Sequence, residues 1–423
     1  MPNSQTFLGR QPILDRDQQL LAYELLFRNG PLGSGNRADI LNPTHATATV
    51  VANVFAEFSV NDALGPYQGF INVDHDFLFS DLIEVLPPHL AVLEILESVE
   101  PSAEVVERCQ QLRDKGFTLV LDDVIEVAEE NRPLLALADI IKVDIMKLDA
   151  DQLRALVDEL RCFGKKLLAE KVETVEQFEL CKALGFELFQ GYFFAHPVVI
   201  VGKKINPTQV TLLRLLSLIM QDAETSEIEN AFKLEPGLVV NLLRLTNSVS
   251  CGLSIKVTSL RHAITVLGRR QLQRWLQLLI YTGCDRSELG VNPLQQLAAT
   301  RGRLMELLSA RVQVRDHEFS DQAFMVGIMS LMPALLGMAM EDILDQLPVA
   351  QRVRQALSSR GGALGHLLHL VECTELTDLD PLEEACSRLP GLTTECLADC
   401  LADAMYWANN LGQERVKETA VSA

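Results

Sequence analysis

Short apolar runs alternate with amphipathic runs over the first 197 residues of the chain. Several apolar runs are almost unbroken before a polar end, which is typical of strands buried on both faces of a sheet. They lie at residues 11–14, 21–27, 69–74, 90–96, 117–123, 140–145, 166–171 and 188–194. The amphipathic runs between them, such as 103–114 and 149–162, predict helices. Repeated strand–helix units indicate an α/β fold, and eight strands favour a barrel.

The pattern changes beyond residue 197. The stretch 198–206 contains a Gly-Lys-Lys step and precedes Pro207, so we interpret it as a linker. Apolar residues then recur at helical spacing, first at Leu212, Leu213, Leu215, Leu216 and Ile219. No alternating strand pattern returns in the sequence. We therefore predict an α/β domain at 1–197, an all-helical domain at 207–410 and a C-terminal tail at 411–423.

Composition indicates which kinds of partner the protein can bind and in which cellular compartment it is located. The chain has 57 acidic and 37 basic residues and a net charge of −20, which argues against a nucleic-acid partner because phosphate contacts need Lys and Arg. Nine cysteines contain no Cys-x-x-Cys pair, which is typical of reduced thiols in the cytoplasm. The longest charge-free apolar stretch, 324–340, is shorter than the ~20 residues of a membrane span. We predict a cytoplasmic protein with no membrane segment.

Polar residues interrupt or end seven of the predicted strands. They are Glu24, Asn72, Glu94, Asp122, Asp123, Lys142, Glu170 and Gln190. A buried charge is costly unless it is paired or metal-bound, and barrel enzymes place catalytic groups at the carboxyl ends of several strands. We expect these side chains to converge at one mouth of the barrel. Hard oxygen ligands suit Mg²⁺, Mn²⁺ or Ca²⁺, and an added lysine fits metal-assisted phosphodiester hydrolysis. Solvated strand ends or structural ion pairs are the alternative.

An ordered series of motifs carries a family resemblance. QPIL, YELLFR, INVD, LEILES, LDD, KVD, AEKVE and FQGYFFAHP follow one another in the first 197 residues. This series resembles the EAL domain, a modified (β/α)8 barrel of the TIM type that cleaves cyclic di-GMP to a linear dinucleotide with Mg²⁺ or Mn²⁺. The resemblance implies metal ligands at Glu24, Asn72, Glu94, Asp122 and Asp123.

The same resemblance implies roles for five further residues. Glu170 would be a further metal ligand or the base, and Lys142 would orient the attacking water. Gln190 would complete the site, and Gln11 and Arg28 match positions that contact the dinucleotide. These assignments give catalytic residues Lys142 and Glu170, and substrate-binding residues Gln11, Arg28 and Gln190.

Two departures from the family pattern bear on turnover. Glu24-Leu25-Leu26 stands where the signature has Glu-Ala-Leu. The family continues after the aspartate pair with Phe-Gly-Thr-Gly, whereas residues 124–127 here read Val-Ile-Glu-Val, without glycine. A β-branched residue cannot readily adopt the positive φ angles open to glycine, so we expect the loop to take another path. We predict that ligand binding survives and that hydrolysis is absent or much reduced.

A second resemblance covers about residues 205–390. Asn247-Ser248, Gly252, Val257-Thr258-Ser259, Ala263-Ile264 and Leu267-Gly268 resemble the HDOD domain, an all-helical relative of HD phosphohydrolases. The His-Asp pair of those hydrolases would fall at Ser330-Leu331, where it is missing. We predict that this domain holds no HD-type metal and binds a protein partner. Formation of a homodimer is left open.

Three functions compete at this point. In the first, a degenerate EAL domain senses cyclic di-GMP or a partner, and the HDOD domain relays the signal. In the second, the barrel is an active metal-dependent cyclic di-GMP phosphodiesterase. In the third, the chain is a protein-interaction scaffold that binds no nucleotide, and the acids of the barrel do not converge. The altered loop favours the first function.

Overall fold

A computed structural model describes two compact units of the chain. It covers residues 6–29, 64–195, 207–247, 257, 259–281, 292–313, 316–375, 380–389 and 391–420. One unit comprises Met1–His196 together with Leu370–Ala423, and the other comprises Pro197–His369. The predicted linker at 198–206 lies outside the described ranges.

Eight strands form a closed barrel in the first unit. They are β1 (Thr6–Asp15), β2 (Leu20–Asn29), β3 (Gln68–Val73), β4 (Ala91–Ile95), β5 (Thr118–Leu121), β6 (Ile140–Asp144), β7 (Lys166–Glu170) and β8 (Leu188–Gln190), in that order around the barrel. Strand β1 is antiparallel to both β2 and β8, and every other neighbouring pair is parallel. The predicted modified (β/α)8 barrel is confirmed, with the modification located at β1.

One apolar layer fills the barrel. Each strand contributes one side chain to it, and the layer consists of Ile13, Ala22, Phe70, Val92, Val120, Ile140, Leu168 and Leu188. Successive side chains of a strand point to opposite faces, so residues two apart along a strand face the same side. The residues two positions beyond this layer therefore also point into the barrel, one level nearer its mouth.

Helices and short 3-10 turns connect the strands from β3 onwards. The helices are α1 (His75–Phe79), α2 (Ala103–Asp114), α3 (Arg132–Leu137), α4 (Ala150–Leu160) and α5 (Val175–Leu184). Reciprocal capping boxes, Asp149 with Gln152 and Thr174 with Gln177, begin α4 and α5. Each box satisfies backbone N–H groups that the first helical turn leaves unpaired. Local sequence therefore fixes where these two helices start.

The rest of the chain is helical wherever it is described. The helices are α6 (Pro207–Met220), α7 (Thr225–Phe232), α8 (Pro236–Asn247), α9 (Leu260–Leu279), α10 (Pro293–Val312), α11 (His317–Met329), α12 (Met332–Leu336), α13 (Met340–Gln346), α14 (Gln351–Ser359), α15 (Gly362–Cys373), α16 (Asp380–Ser387) and α17 (Thr394–Ala420). Helix α9 bends at Gly268, which has a φ of 75°. The predicted all-helical second domain is confirmed.

Close packing of α10 on α11 depends on glycine. A Cβ atom on Gly327 would lie 2.7 Å from backbone atoms of Arg301 and Gly302.

The stretch His317–Leu336, which contains α11 and α12, is long and apolar enough to cross a membrane. However, 72% of its apolar window is buried within the protein, as expected for the core helix of a globular domain.

The division between the units falls elsewhere than the sequence predicts. It lies inside α15, so residues 370–410, predicted to belong to the helical domain, group with the barrel. Helix α17 also continues to Ala420, whereas the sequence predicts a tail from residue 411. The pattern of apolar residues detects a helix but not the surface against which that helix packs.

Candidate functional site

A polar layer lies directly above the apolar layer of the barrel. Every strand or strand end supplies one member, two residues beyond its apolar-layer residue along the chain, or two before it in antiparallel β1. The members are Gln11, Glu24, Asn72, Glu94, Asp122, Lys142, Glu170 and Gln190. We call these eight residues the polar layer. Strand alternation alone thus brings eight distant positions to one level of the barrel.

Lys142 lies at the centre of the polar layer. Its ammonium contacts a carboxylate oxygen of Glu94 closely and lies 3.4 Å from Asp122 Oδ1 and 3.5 Å from Glu24 Oε2. Glu170 Oε2 is 4.0 Å away. Only 1% of the Lys142 side chain is exposed, so four acids share one buried cation. If every carboxylate is ionised, negative charge exceeds positive charge at this level of the barrel.

Amide groups connect the remaining members. Gln190 Nε2 donates to Glu24 Oε2 at 2.5 Å and to Gln11 Oε1 at 2.8 Å. Asn72 Nδ2 donates to Glu24 Oε1 at 3.3 Å. These contacts and those of Lys142 confirm the predicted convergence of the seven interrupted strands, and they bring in Gln11 as well.

Asp123 contacts a residue outside the polar layer. It has a φ of 53°, and its carboxylate forms an ion pair with Lys147 on the 3-10 turn after β6. None of residues 124–127 has a positive φ, and the amide N–H of Val124 donates to the carbonyl of Lys142 at 3.0 Å. The loop therefore follows a path in which residues 124–127 need no glycine.

Two further residues bear on the sequence-based prediction of the site, Arg28 and Asp144. Arg28 pairs with Phe7 in the β1–β2 ladder, and its side chain lies outside the described part of the structure. Asp144, which the sequence analysis did not select, is buried at the end of β6 and accepts a hydrogen bond from Lys171 Nζ at 2.6 Å. The signal for Asp144 was its place as the last residue of the KVD motif.

Burial governs the protonation of the polar layer. It raises the pKa of Glu94 well above the usual value, and Lys142 opposes this only in part. Burial disfavours the charged form of Lys142, but attraction by Glu94, Glu24 and further acids outweighs it and raises the lysine pKa well above its usual value. Burial likewise raises the pKa of Glu170 to about 7, although Lys142 opposes it. Lys142 is therefore a stable cation beside two acids, Glu94 and Glu170, whose neutral forms burial favours.

We predict that Glu170 makes the stability of metal-free protein depend on pH. Its folded pKa of about 7 exceeds the usual 4.5, so its contribution is fully present below pH 4.5 and is lost as pH rises through 7. In EDTA, the free energy of unfolding should decrease by about 3 kcal/mol from this group between about pH 4.5 and pH 8. Urea denaturation at several pH values measures the decrease.

Two variants isolate this contribution. Glu170→Gln should remove it, because the amide does not titrate, whereas Glu173→Gln, at an exposed position nearby, should keep the pH profile of the unmodified protein. Equal pH profiles for the unmodified protein and Glu170→Gln would contradict the assignment.

Gly191 holds the end of β8 in place. Its φ is 144°, and a Cβ atom there would lie 2.1 Å from the carbonyl oxygen of Val172. Val172 is also bonded to this segment, because its N–H donates to the carbonyl of Gln190 at 3.0 Å. Only glycine allows the chain to turn so close to Val172 directly after a member of the polar layer.

We predict that Gly191→Ala destabilises the barrel by about 3 kcal/mol or more, since backbone strain and overpacking act together. Gly164→Ala is the matched control, because Gly164 also has a positive φ, 62°, but its Cβ would meet nothing within 4 Å. Strain alone should cost the control about 1 kcal/mol. Urea denaturation compares the two, and equal losses would show that the contact with Val172 is unimportant.

The donor atoms of the polar layer fit a divalent cation by their chemistry. The buried oxygens Asn72 Oδ1, Glu94 Oε2, Asp122 Oδ1 and Gln190 Oε1 have no hydrogen-bond donor, and neither does Asp123 Oδ1. Carboxylate and amide oxygens are ligands that Mg²⁺ and Mn²⁺ prefer. Within the described ranges, no group of three His, Cys, Asp or Glu side chains is arranged to hold a metal ion as it stands. The Lys142 ammonium lies among these carboxylates instead.

The place of the missing His-Asp pair in the helical unit is occupied by a hydrogen-bonded group. Arg301 Nη1 donates to Ser330 Oγ at 2.9 Å, and that hydroxyl donates to the carbonyl of Gly327 at 2.7 Å. Ser330 and Leu331 thus join helices α10, α11 and α12 structurally. Asn247 also acts structurally, since its amide contacts both the N–H and the carbonyl of Val257 at 2.7 Å. Ser248, Gly252 and Thr258 lie outside the described residues.

Comparison with known proteins agrees with both parts of the fold. Residues 44–197 match the EAL domain model and residues 206–359 match the HDOD domain model. The chain is 31% identical over 411 residues to cyclic di-GMP phosphodiesterase CdgJ of Vibrio cholerae, with 96% of this chain and 93% of that protein covered. It is 30% identical over 412 residues to uncharacterized protein YuxH of Bacillus subtilis, with 96% and 98% covered.

Solved structures of EAL domain proteins also match part of the chain. An EAL domain protein from Listeria monocytogenes EGD-e is 24% identical, with 45% of this chain and 87% of that chain covered and a TM-score of 0.36. The two domain models match in order, and the alignments to CdgJ and YuxH extend almost end to end in both proteins. The chain therefore belongs to the family of proteins in which an EAL domain is followed by an HDOD domain.

Proposed function

We propose that the barrel binds cyclic di-GMP together with a divalent cation, Mg²⁺ or Mn²⁺, and hydrolyses it slowly or not at all. The observation that carries this proposal is the polar layer, to which all eight strands contribute at one level of the barrel. The name of the relative CdgJ supports cyclic di-GMP as the ligand. In this account the chain is a signalling receptor of the bacterial cytoplasm.

The proposed ligands are the residues with hard oxygen donors. Glu24, Asn72, Glu94 and Asp122 would hold the cation, and Glu170 would add a further ligand or act as base. Asp123 would join these ligands only on leaving its ion pair with Lys147. A bound cation would polarise a phosphate oxygen and lower the pKa of a bound water. Gln11 and Gln190, joined by a 2.8 Å hydrogen bond, would position the dinucleotide from one side, with Arg28 contacting it further out. Lys142 would orient the attacking water and balance the charge of the acids.

Slow turnover is proposed because Asp123 is engaged elsewhere. Its carboxylate pairs with Lys147, and the loop after it begins with a backbone hydrogen bond from the N–H of Val124 to the carbonyl of Lys142. Phosphodiester hydrolysis with two cations needs both ions to be placed precisely, and misplacement by about 1 Å can reduce the rate ~10²-fold. Glu24, Asn72 and Glu94 lie on other strands and support ligand binding without this loop.

A working phosphodiesterase is the second candidate function. The completeness of the polar layer favours it, because Lys142 and Glu170 are both present at the level of the metal ligands. It shares the binding site with the first proposal and differs only in the fate of the nucleotide.

A hydrolysis assay separates these two functions. Purified full-length protein is incubated with cyclic di-GMP and Mn²⁺, and the linear dinucleotide is measured by chromatography beside bound nucleotide measured by equilibrium dialysis. Binding with little or no linear product supports the receptor proposal. Rapid conversion supports the phosphodiesterase instead. If the protein neither binds nor converts cyclic di-GMP, the interaction scaffold is the function that remains.

We propose that the HDOD part binds a protein partner and carries no hydrolytic centre. Two of its arginines are used internally: Arg274 forms two 2.7 Å hydrogen bonds to Glu306, and Arg270 pairs with Asp321 at 2.6 Å. With the net charge of −20, these pairs argue against nucleic acid as the partner. Copurification tests this proposal. A protein that is retained by the full chain, and that stays bound after nuclease treatment, would support it.

A further inference from the structure

The last part of the chain packs on the barrel beside the polar layer. Residues 370–420 follow the matched EAL and HDOD regions, which end at residues 197 and 359. We call Leu370–Ala423 the C-terminal segment, and it belongs to the same compact unit as the barrel. Its long helix α17 packs against β1. The function of this segment is therefore to be sought at the barrel.

One attachment point is on the outer face of β1 and β2. Asn409 of α17 is buried, and its Oδ1 accepts a hydrogen bond from Arg10 Nη1 at 3.1 Å. The Arg10 guanidinium lies over the ring of Tyr23, 4.3 Å from its centroid. Arg10 and Tyr23 alternate with Gln11 and Glu24 along their strands, so they face outward where their neighbours face the site.

A second attachment point is at the end of β8. The hydroxyl of Tyr192 donates a hydrogen bond to the carboxylate of Glu375 in the C-terminal segment. Tyr192 follows Gln190 by two residues, with the constrained Gly191 between them. The carbonyl of Thr374 also approaches β1, since it lies 3.8 Å from the position of a Cβ on Gly9.

These attachment points flank three connected members of the polar layer. Gln190 donates to both Gln11 and Glu24, and the three residues lie on the neighbouring strands β8, β1 and β2. The ladder between β1 and β8 covers only Ile13–Asp15 in the described residues, so Gln11 lies beyond its last pair. The mouth end of β1 thus gains support from the C-terminal segment where β8 does not provide it.

We propose that Asn409 and Glu375 are positioning residues that hold Gln11, Glu24 and Gln190 in place from outside the barrel. This inference rests on the proposed function, because its consequence for the ligand assumes that these three residues contact cyclic di-GMP or its cation. It assigns a role in the binding site to a segment that follows the HDOD region in the chain.

The test uses full-length protein and calorimetric titration of cyclic di-GMP in Ca²⁺. Asn409→Ala and the conservative Tyr192→Phe each remove one attachment, and each should weaken binding tenfold or more. Asn409→Asp keeps an oxygen acceptor for Arg10 and should restore affinity. Asp403→Asn, at an exposed position of the same helix, should bind like the unmodified protein. Unfolding in urea must remain cooperative in every variant that is compared.

Hydrogen exchange gives a second readout that needs no nucleotide. Asn409→Ala and Tyr192→Phe should accelerate amide exchange in β1, β2 and β8 and leave β4, β5 and β6 unchanged. If the unmodified protein binds no cyclic di-GMP, the proposed function fails. The positioning role is then decided by whether amide exchange accelerates in β1, β2 and β8 alone. Unchanged exchange in β1, β2 and β8 overturns the inference, as does unchanged affinity in both variants when the unmodified protein binds.

Discussion

Lys142→Met should destabilise the metal-free protein by about 3–5 kcal/mol, because it leaves buried carboxylates without their shared cation. Glu94 is fully buried, and Asp122, Glu24 and Glu170 also lie within 4.0 Å of the lysine nitrogen. The loss should be larger at pH 8 than at pH 5, since burial raises the pKa of Glu94 and of Glu170 and so favours their neutral forms at the lower pH. Urea denaturation in EDTA at both pH values measures it.

Addition of a divalent cation should restore part of the stability that Lys142→Met loses. Mn²⁺ at one hundred times its dissociation constant should return about 2.7 kcal/mol, provided that it binds only the folded state. Lys147→Met is the matched control: its side chain is 47% exposed, and loss of its pair with Asp123 should cost ~1 kcal/mol or less. Equal destabilisation of the two variants would show that Lys142 is not the central cation of the site.

Grafting the glycine-bearing loop should raise hydrolysis of cyclic di-GMP about 10²-fold, the factor associated with misplacement of a reacting group by ~1 Å. The graft consists of Val124→Phe, Ile125→Gly, Glu126→Thr and Val127→Gly. Glycine would make positive φ angles available after Asp123 and allow its carboxylate to leave Lys147. The measurement is kcat with Mn²⁺, with cyclic di-GMP affinity measured in parallel and expected to change little.

The single substitution Glu126→Thr is the control for the graft. Residue 126 is exposed, and this change adds no glycine, so turnover should stay at the level of the unmodified protein. If the unmodified protein already hydrolyses the dinucleotide rapidly and the graft adds nothing, the loop does not limit catalysis. The working phosphodiesterase would then be the better description.

Strand periodicity made most of the site predictable from sequence. An apolar residue followed two positions later by Glu24, Asn72, Glu94 or Lys142 marks a strand whose interior changes from apolar to polar towards its end. Strands β2 to β8 are parallel, so the polar residues towards their carboxyl ends lie at one mouth of the barrel. Residue type and local spacing carry this information.

Contacts between distant parts of the chain were not predictable in this way. Arg10 and Asn409 are 399 residues apart, and no local pattern distinguishes a helix that packs on the barrel from one that packs in the helical unit. The ion pair of Asp123 with Lys147 depends on a backbone φ of 53°, which an aspartate does not reveal in sequence. Asp123 is accordingly predictable from the sequence as a candidate ligand, whereas the lysine that engages it is not.

The most direct test of the binding site is calorimetric titration of the full-length protein with cyclic di-GMP, first with Ca²⁺ and then with EDTA. The account predicts saturable binding of one nucleotide per chain in the presence of the cation. It also predicts strongly weakened binding in EDTA and in Glu94→Gln, which removes a buried carboxylate from the polar layer. Folded protein that releases no heat of binding under either condition would contradict the account.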